Sequence, residues 1–408
     1  MKLGLLLGLL AGLGPLAIDL YLPAFPTLAA ELQSSPAMVQ MSMVSYFLAL
    51  AVGQLPYGAL ADRYGRRAPL FGCLALFMLT SVGCALALDI HWLIALRFLQ
   101  GLGGCAGTII ARSIIRDLHT GAAAARLMAT MFLVLGVSPI FAPLAGSVLL
   151  HWVGWRGLFV VIAVLVALAG VLAALLLPET HPPQRRAAAR AAHWHADFAR
   201  LLGDARYLKL AFAVAGASSA ALLFVTTAPF VFAHHYALAP GTFSALLGLN
   251  GAGQILSTQF APLLMRRLGA ARLLAAVTAA AGLAGAALLV AASSGGAPLA
   301  LFVALCFTVA CCAGLWLTPA AVTALDPHQA IAGSASAILG TIQLAGTAAA
   351  SALVGLLESG DGRGIACGYL LSAVGAHLLC RAALAPRQAR AYRTSPPAAL
   401  PAPSYSSA

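Results

Sequence analysis

The feature that most constrains this chain is a series of long apolar runs separated by short polar breaks. A bilayer core about 30 Å thick needs about 20 helical residues to cross it, and runs of that length recur along most of the sequence. The composition agrees, because 62% of the residues are apolar and only 8% are charged, against roughly 25% in soluble chains. The sequence therefore predicts an all-α integral membrane protein.

We predict twelve transmembrane helices in two six-helix halves. The predicted spans are residues 4–29, 38–61, 68–88, 92–114, 124–150, 156–177, 208–233, 241–265, 271–293, 297–323, 330–357 and 364–385. The longest polar stretch separates the sixth span from the seventh. The predicted units are a first half (1–177), a central cytoplasmic loop (178–207), a second half (208–385) and a disordered cytoplasmic tail (386–408).

The basic residues predict the orientation. If the N-terminus is cytoplasmic, every Lys and Arg except Arg97, Arg156 and Arg363 falls on the cytoplasmic side, where basic residues are retained during insertion. The sequence therefore predicts a multi-pass protein of a bacterial-type cytoplasmic (inner) membrane with both termini in the cytoplasm. The formal net charge of +12 then reflects membrane orientation, and no nucleic-acid partner is predicted.

Several other functions lack the residues that they need. Lysine occurs only at Lys2 and Lys209, and neither follows the glycine of a P-loop, so ATP hydrolysis by that route is excluded. The eight cysteines lie in apolar stretches without metal-ligand spacing, and we interpret them as packing residues. No metal or cofactor is predicted, and we find no nucleophile or paired-acid constellation that would indicate an enzyme.

A charged motif follows the second span, where residues 58–67 read GALADRYGRR. Its glycines permit a tight turn, and its acid and bases can pair across the bundle in one conformation and separate in another. The motif resembles the signature loop of the major facilitator superfamily, and the alternative is a generic basic loop. The resemblance implies a gating role for Gly58, Asp62, Arg63, Gly65, Arg66 and Arg67.

Further stretches resemble the Bcr/CflA drug-resistance family of drug and proton antiporters. They are IDLYLPAFP (18–26), LRFLQGLGG (96–104) and AGSASAILG (332–340). APLAGS (142–147) is similar to the fifth-helix antiporter motif and keeps its Pro143 and Gly146. The resemblance implies a proton-coupled exporter of small amphipathic compounds, such as chloramphenicol- or bicyclomycin-like antibiotics.

Asp19 is the acid that stands inside a predicted span, whereas every other acid falls at a helix end or in a loop. A charged carboxylate in a low-dielectric bundle is costly, so its protonation is expected to depend on conformation or on a cationic ligand. We therefore predict proton coupling at Asp19. The alternative is a partly hydrated residue that bonds backbone groups freed by Pro15, Pro23 and Pro26.

Arg97 is the only base well inside a span. Similarity to the family's fourth-helix motif implies that it supports proton exchange, and the alternative is a structural arginine. Asp19 and Arg97 both fall in the outer half of the membrane, so they could share a polar network. His377, near mid-membrane in the last span, is expected to bond a helix carbonyl, and the alternative is a role in proton transfer.

Eight polar or aromatic residues are predicted to line a substrate cavity, although each could instead serve packing. They are Tyr21, Tyr46, Phe47, Gln54, Gln100, Asn250, Gln254 and Gln343. Aromatic faces with scattered amides suit amphipathic drug-like molecules. The predicted protein is thus a monomer in the lipid bilayer that exchanges protons for a small-molecule drug, and the alternative is export of an endogenous sugar, purine or amino-acid derivative.

Overall fold

The computed structural model describes residues 2–119, 121–182, 194–294, 296–357 and 361–384. Within these residues the regular structure is helical, and no strand is present. The predicted tail (386–408) and the middle of the predicted central loop (183–193) lie outside the described residues.

The first half begins with an interrupted helix and ends with a bent one. Its elements are α1 (Lys2–Asp19), a 3₁₀ turn (Leu22–Ala24), α2 (Phe25–Glu31), α3 (Pro36–Tyr64), α4 (Arg67–Ala85), α5 (Ile90–Leu118) and α6 (Gly121–Leu176). A straight helix as long as α6 would measure about 84 Å, far more than a bilayer core. Gly154, at φ 66°, bends α6 into two arms, which supply the fifth and sixth crossings.

The second half repeats this count of six crossings. It is preceded by a short helix, α7 (Trp194–Gly203), which lies within the predicted central loop. The second half contains α8 (Ala205–Phe230) with a π-helical turn (Val231–His235), α9 (Pro240–Leu268), α10 (Ala270–Ser293), α11 (Leu299–Leu325), a 3₁₀ turn (Asp326–Ile331), α12 (Ala332–Leu357) and α13 (Arg363–Leu384). Among the described residues, ten helices are long and apolar enough to cross a membrane. One of these ten is α6, which bends into two arms and so crosses twice. The helix α9, which carries amides, is not among the ten, but its 29 residues are long enough to cross. The predicted twelve crossings are therefore confirmed.

The outside of the bundle is apolar. Leu79, Leu175, Leu283 and Leu371 each expose more than half of their surface. Soluble monomers rarely present apolar area on this scale. The surface therefore fits a bundle covered by lipid.

The two ends of the bundle are distinguished by their connecting segments. We call the end with the turn between α3 and α4, which holds Gly65 and Arg66, the arginine face. We call the end with the segment between α2 and α3, residues 32–35, the opposite face. This segment enters α3 through Ser35, whose hydroxyl accepts the Met38 backbone N–H at 3.3 Å.

The two halves meet where α3 packs on α12 and where the first arm of α6 packs on α9. Between α3 and α12, the Thr341 hydroxyl donates to the Ala51 carbonyl at 3.2 Å. Nearer the opposite face, Phe25 of α2 packs against Phe230 of α8 with ring centroids 5.7 Å apart. These contacts hold the halves together from the middle of the bundle to the opposite face.

Candidate proton and substrate site

Asp19 lies at the point where the first crossing is interrupted. It ends α1, and regular α-helix resumes only at Phe25. Its carboxylate is buried, at 7% exposure, and accepts a hydrogen bond from the Ser138 hydroxyl on α6 at 3.0 Å. The structure thus places the carboxylate in a buried site with a partner from a helix more than a hundred residues away.

The predicted fifth-helix motif packs directly against this interruption. A Cβ on Gly146 would overlap the carbonyl oxygen of Leu20, the residue after Asp19. Pro143 is buried one turn earlier on the same arm. The absence of a side chain at Gly146 therefore lets α6 approach the end of α1 closely enough for Ser138 to reach Asp19.

Arg97 is fully buried among aromatic rings. Its guanidinium carbon lies 4.3 Å from the ring centroid of Tyr46 and 4.9 Å from that of Tyr21. One terminal nitrogen donates to the Gln100 side chain at 2.5 Å and to the Ala17 carbonyl at 3.4 Å. Ring faces attract a cation, most strongly where water is excluded.

Within the described residues no ion pair joins Arg97 to Asp19, although Arg97 reaches the backbone two residues before it. The structure therefore brings both predicted coupling residues to the same end of α1, in separate hydrogen-bonded groups. The Arg97 Nε atom is buried without a partner in the described structure.

Three predicted cavity residues, Tyr21, Tyr46 and Gln100, are fully buried around Arg97. The hydroxyl of Tyr21 lies 3.1 Å from that of Ser42, the Tyr46 hydroxyl donates to the Gly14 carbonyl at 3.2 Å, and Gln100 donates to the Ser81 hydroxyl at 2.7 Å. In this conformation they enclose the guanidinium inside the first half. Contact with a substrate stays a prediction for all three.

The other predicted cavity residues lie on the helices that join the two halves. Phe47, half-buried on α3, is edge-on to Tyr46 at 6.4 Å. Gln54 lies beside Gly340 of α12, and Gln343 of α12 donates to the Ser218 hydroxyl of α8 at 3.0 Å. The remaining two, buried Asn250 and half-buried Gln254, lie on α9. Their role in binding is likewise a prediction.

The predicted gating loop is organised around Arg66, which is 4% exposed. Its guanidinium donates to Asp62 at 2.5 Å and to Asp117, at the end of α5, at 2.7 and 3.2 Å. Burial works against this charge, but the hydrogen bonds to Asp117 and Asp62 and the attraction of both carboxylates outweigh it. The pKa of Arg66 therefore lies above its usual value.

The segment that follows α6 completes this cluster. The Glu179 carboxylate accepts the backbone N–H groups of Arg66 at 2.9 Å and of Arg67 at 3.2 Å. Gly65, at φ 92°, makes the turn that presents both groups. Sequence reasoning missed Asp117 and Glu179 as partners, and the one available signal was that both are acids at helix ends on the same side as the loop.

The remaining loop residues are more open. Arg63 is exposed and stacks on Tyr64 at 5.7 Å, Arg67 donates to the Ala174 carbonyl at 3.3 Å, and a Cβ on Gly58 would meet nothing within 4 Å. The ion pairs that the structure shows for this loop all lie within the first half. A change of these pairs between conformations stays a prediction.

His377 packs between two helices of the second half. Its Nδ1 lies 2.8 Å from the Thr278 hydroxyl of α10. The Thr278 hydroxyl also donates to the carbonyl of Leu274, four residues earlier. The partner thus differs from the helix carbonyl that we expected, but it too serves helix packing.

The sequence of this chain is similar to those of known membrane transporters. Residues 7–351 match the Major Facilitator Superfamily. An uncharacterised MFS-type transporter of Bacillus subtilis, YdgK, is 35% identical over 88% of this chain and 90% of its own length. A bicyclomycin resistance protein homolog of Haemophilus influenzae is 28% identical over 66% and 68%, and multidrug resistance protein D of Escherichia coli is 33% identical over 44% and 45%.

Solved structures support the fold. A bacterial homolog of the human lysosomal transporter Spinster, in an inward-facing, occupied conformation, has a TM-score of 0.73 at 16% identity over 97% of this chain and 98% of that one. Inward-open XylE, the xylose transporter of Escherichia coli, has a TM-score of 0.74 at 14% identity over 94% and 95%. The chain belongs to the major facilitator superfamily of membrane transporters, and the relatives that it resembles include drug-resistance proteins of the Bcr/CflA type.

Proposed function

We propose that this chain exports small amphipathic, drug-like compounds across the cytoplasmic membrane in exchange for protons. The similarity to bicyclomycin and multidrug resistance proteins supports drug export. The observation that carries proton coupling is the buried Asp19 carboxylate at the interruption of the first crossing. Buried acids in membrane helices are costly and are commonly part of ion or proton pathways.

The proposed cycle uses the cost of a buried charge. When the site faces the outside, protonation of Asp19 removes that cost and favours release of the compound. When the site faces the cytoplasm, Asp19 loses its proton and the site is ready for the next compound. Rocking of the two halves about the interface would expose the site alternately to each side.

Arg97 contributes a permanent positive charge near the same end of α1. It has no carboxylate partner in the described structure, and aromatic rings and Gln100 surround it. A cation in this position favours the charged form of Asp19 when rearrangement brings the two closer. Loss of the Asp19 proton would thus depend on conformation, which an antiporter requires.

The compound itself would bind between the halves. Phe47, Gln54, Gln254 and Gln343 are half-buried on the helices that meet there. Their rings and stems offer apolar area, and the amides offer a few donors and acceptors, a combination that tolerates varied amphipathic shapes. In the proposed orientation the arginine face is cytoplasmic, in keeping with retention of basic residues on that side.

The direct test is proton release from the purified protein on addition of bicyclomycin and other antibiotics, together with resistance of cells that express it. We expect release with the wild type and with Asp197→Asn, which alters an acid of α7 outside the crossings. We expect Asp19→Asn to release no proton and to confer no resistance. Unchanged release and resistance in Asp19→Asn would reject Asp19 as the coupling residue.

The second candidate is export of an endogenous polar metabolite. The amides of Asn250, Gln254 and Gln343 could hydrogen-bond a sugar or a purine, and this observation keeps the candidate open. Competition separates the two, because a metabolite exporter would bind the metabolite more tightly than any antibiotic. Sugars, nucleobases and amino-acid derivatives that fail to displace bound antibiotic would reject the metabolite candidate.

A further inference from the structure

Ser138 connects the Asp19 carboxylate to a distant helix. Its hydroxyl donates to Asp19 Oδ2 at 3.0 Å, and it is 8% exposed. Two other serines of the crossings, Ser219 and Ser147, donate instead to carbonyls of their own helices, at 2.7 and 2.8 Å. The Ser138 hydroxyl is therefore directed out of its helix toward one titratable group.

The neighbours of Ser138 contact the second half of the protein. A Cβ on Gly251 of α9 would stand 3.1 Å from the Pro139 side chain, and one on Gly248 would stand 3.0 Å from the Ile140 carbonyl oxygen. Residues 138–140 thus bond the end of α1 through one side chain and pack on α9 through the next two. This segment is a direct physical link between Asp19 and the interface of the halves.

Pro139 makes the segment able to change shape. A proline inside a helix donates no backbone hydrogen bond and forces the preceding turn apart, so helices bend most readily there. A change in the hydrogen bond between Ser138 and Asp19 can therefore alter how Pro139 and Ile140 pack against α9.

We propose that Ser138 is a positioning residue for the proton-carrying carboxylate: its hydroxyl sets the pH at which Asp19 exchanges its proton and transmits that exchange to the contact between α6 and α9. This inference rests on the proposed function, since it assumes that Asp19 titrates. A charged carboxylate accepts a stronger hydrogen bond than a neutral acid. Protonation therefore weakens the tie between α1 and α6, and proton loss restores it.

Other charged and polar groups near Asp19 also influence its proton exchange, and a Ser138 variant leaves these groups unchanged. Arg97 of α5 reaches the carbonyl of Ala17, and the buried hydroxyl of Tyr46 on α3 donates to the carbonyl of Gly14 on α1. Tyr21 follows Asp19 in the interruption and bonds Ser42. Among the described contacts of Asp19, Ser138 is the one from α6.

The test follows the infrared carbonyl band of a protonated carboxyl group in the full-length protein, in lipid and without drug. The band that Asp19→Asn removes belongs to Asp19, and its intensity against pH gives the midpoint of titration. We expect Ser138→Ala to move this midpoint upward by about one pH unit, since one hydrogen bond to the charged form is lost. Ser138→Thr, which keeps the hydroxyl, and Ser147→Ala should leave the midpoint near that of the wild type.

A second readout tests transmission to the second half. Hydrogen exchange of the α9 amides around Gly248 and Gly251, corrected for the intrinsic effect of pH, should differ below and above the Asp19 midpoint. In Ser138→Ala, exchange should be compared below and above the Asp19 midpoint of that variant. The difference should then be smaller than in the wild type.

The outcomes separate the inference from the function on which it rests. An Asp19 band whose midpoint is the same in Ser138→Ala would overturn the positioning role and leave coupling at Asp19 intact. A shifted midpoint with unchanged α9 exchange would overturn transmission alone. If Asp19→Asn removes no titrating band, Asp19 does not exchange a proton, and the proposed coupling fails together with this inference.

Discussion

At the scale of single residues, the arginine face depends on one guanidinium. Arg66 bonds carboxylates at the ends of α3 and α5, and its backbone N–H donates to Glu179 beyond α6. Arg66 and Asp117 are both largely buried, so removal of either one would leave the other as an uncompensated buried charge. The signature loop therefore holds together the ends of α3 and α5 and the segment after α6 within the first half. This role does not depend on how the two halves move.

We expect Arg66→Ala to lower the free energy of unfolding by about 3 kcal/mol, because it leaves the nearly buried Asp117 without its positive partner. The neighbouring Arg63→Ala is the matched control. Arg63 is exposed and contacts mainly the ring of Tyr64, so its loss should cost less than about 1 kcal/mol. Thermal unfolding in detergent measures both, and equal losses would contradict the assignment of Arg66 as the centre of the cluster.

Sequence reasoning found the members of this loop but not their partners. The motif GALADRYGRR predicted that its acid and bases could pair across the bundle, and the structure pairs Asp62 with Arg66 of the same loop. Asp117 and Glu179 are 51 and 113 residues away from Arg66. Which distant acid meets a given arginine depends on how helices pack, and local pattern carries little of that information.

At the scale of elements, the interrupted first crossing is the main departure from expectation. The sequence predicted one continuous span over 4–29 with prolines in it. The structure ends α1 at Asp19 and resumes α-helix at Phe25, after a 3₁₀ turn that contains Pro23. Prolines indicated weak points, but the place of the break also depends on α6, which packs against the Leu20 carbonyl.

Gly146 should not tolerate even a methyl group. We expect Gly146→Ala to push α6 away from Leu20 and to separate Ser138 from Asp19, with a loss of about 1–3 kcal/mol in stability and most of the transport activity. Gly72→Ala on α4 is the control, because a Cβ there meets nothing within 4 Å. An alanine in that helix should be neutral or stabilise by up to about 1 kcal/mol. Full transport by Gly146→Ala would contradict the close approach.

At the scale of the whole molecule, the interface of the halves contains a polar group that this conformation does not satisfy. Gln40 of α3 is 1% exposed, and neither its amide nitrogen nor its oxygen has a hydrogen-bond partner in the described structure. Gly355 of α12 lies against its side chain. A buried unpaired amide costs roughly 1–3 kcal/mol, so this contact favours separation of the halves at the opposite face.

Replacement of this amide by an apolar side chain should therefore hold the protein in the conformation with the opposite face closed. We expect Gln40→Leu to raise the melting temperature and to slow transport, because it stabilises the conformation with the opposite face closed relative to one in which water would reach the amide. Melting curves and initial rates of uptake into vesicles measure the two effects. A lower melting temperature with unchanged transport would show that the amide favours neither conformation.

Much of the global organisation was predictable because it follows from repeated local signals. Apolar run lengths gave twelve crossings, and the polar stretch between the sixth and seventh divided them into halves. The pairing of α3 with α12 and of α6 with α9 was not predictable, since all these helices are apolar on several sides. The cavity residues Tyr21, Tyr46 and Gln100 illustrate the limit, because their chemistry suggested a ligand surface and they enclose Arg97 in this conformation.

The central claim, proton-driven export through Asp19, is tested most directly in inside-out membrane vesicles with an imposed pH gradient. An acidic interior should drive accumulation of bicyclomycin in vesicles with the wild-type protein, and dissipation of the gradient should abolish it. Vesicles with Asp19→Asn should show no accumulation above empty membranes, while Asp197→Asn should match the wild type. Gradient-driven accumulation by Asp19→Asn at the wild-type rate would contradict the account.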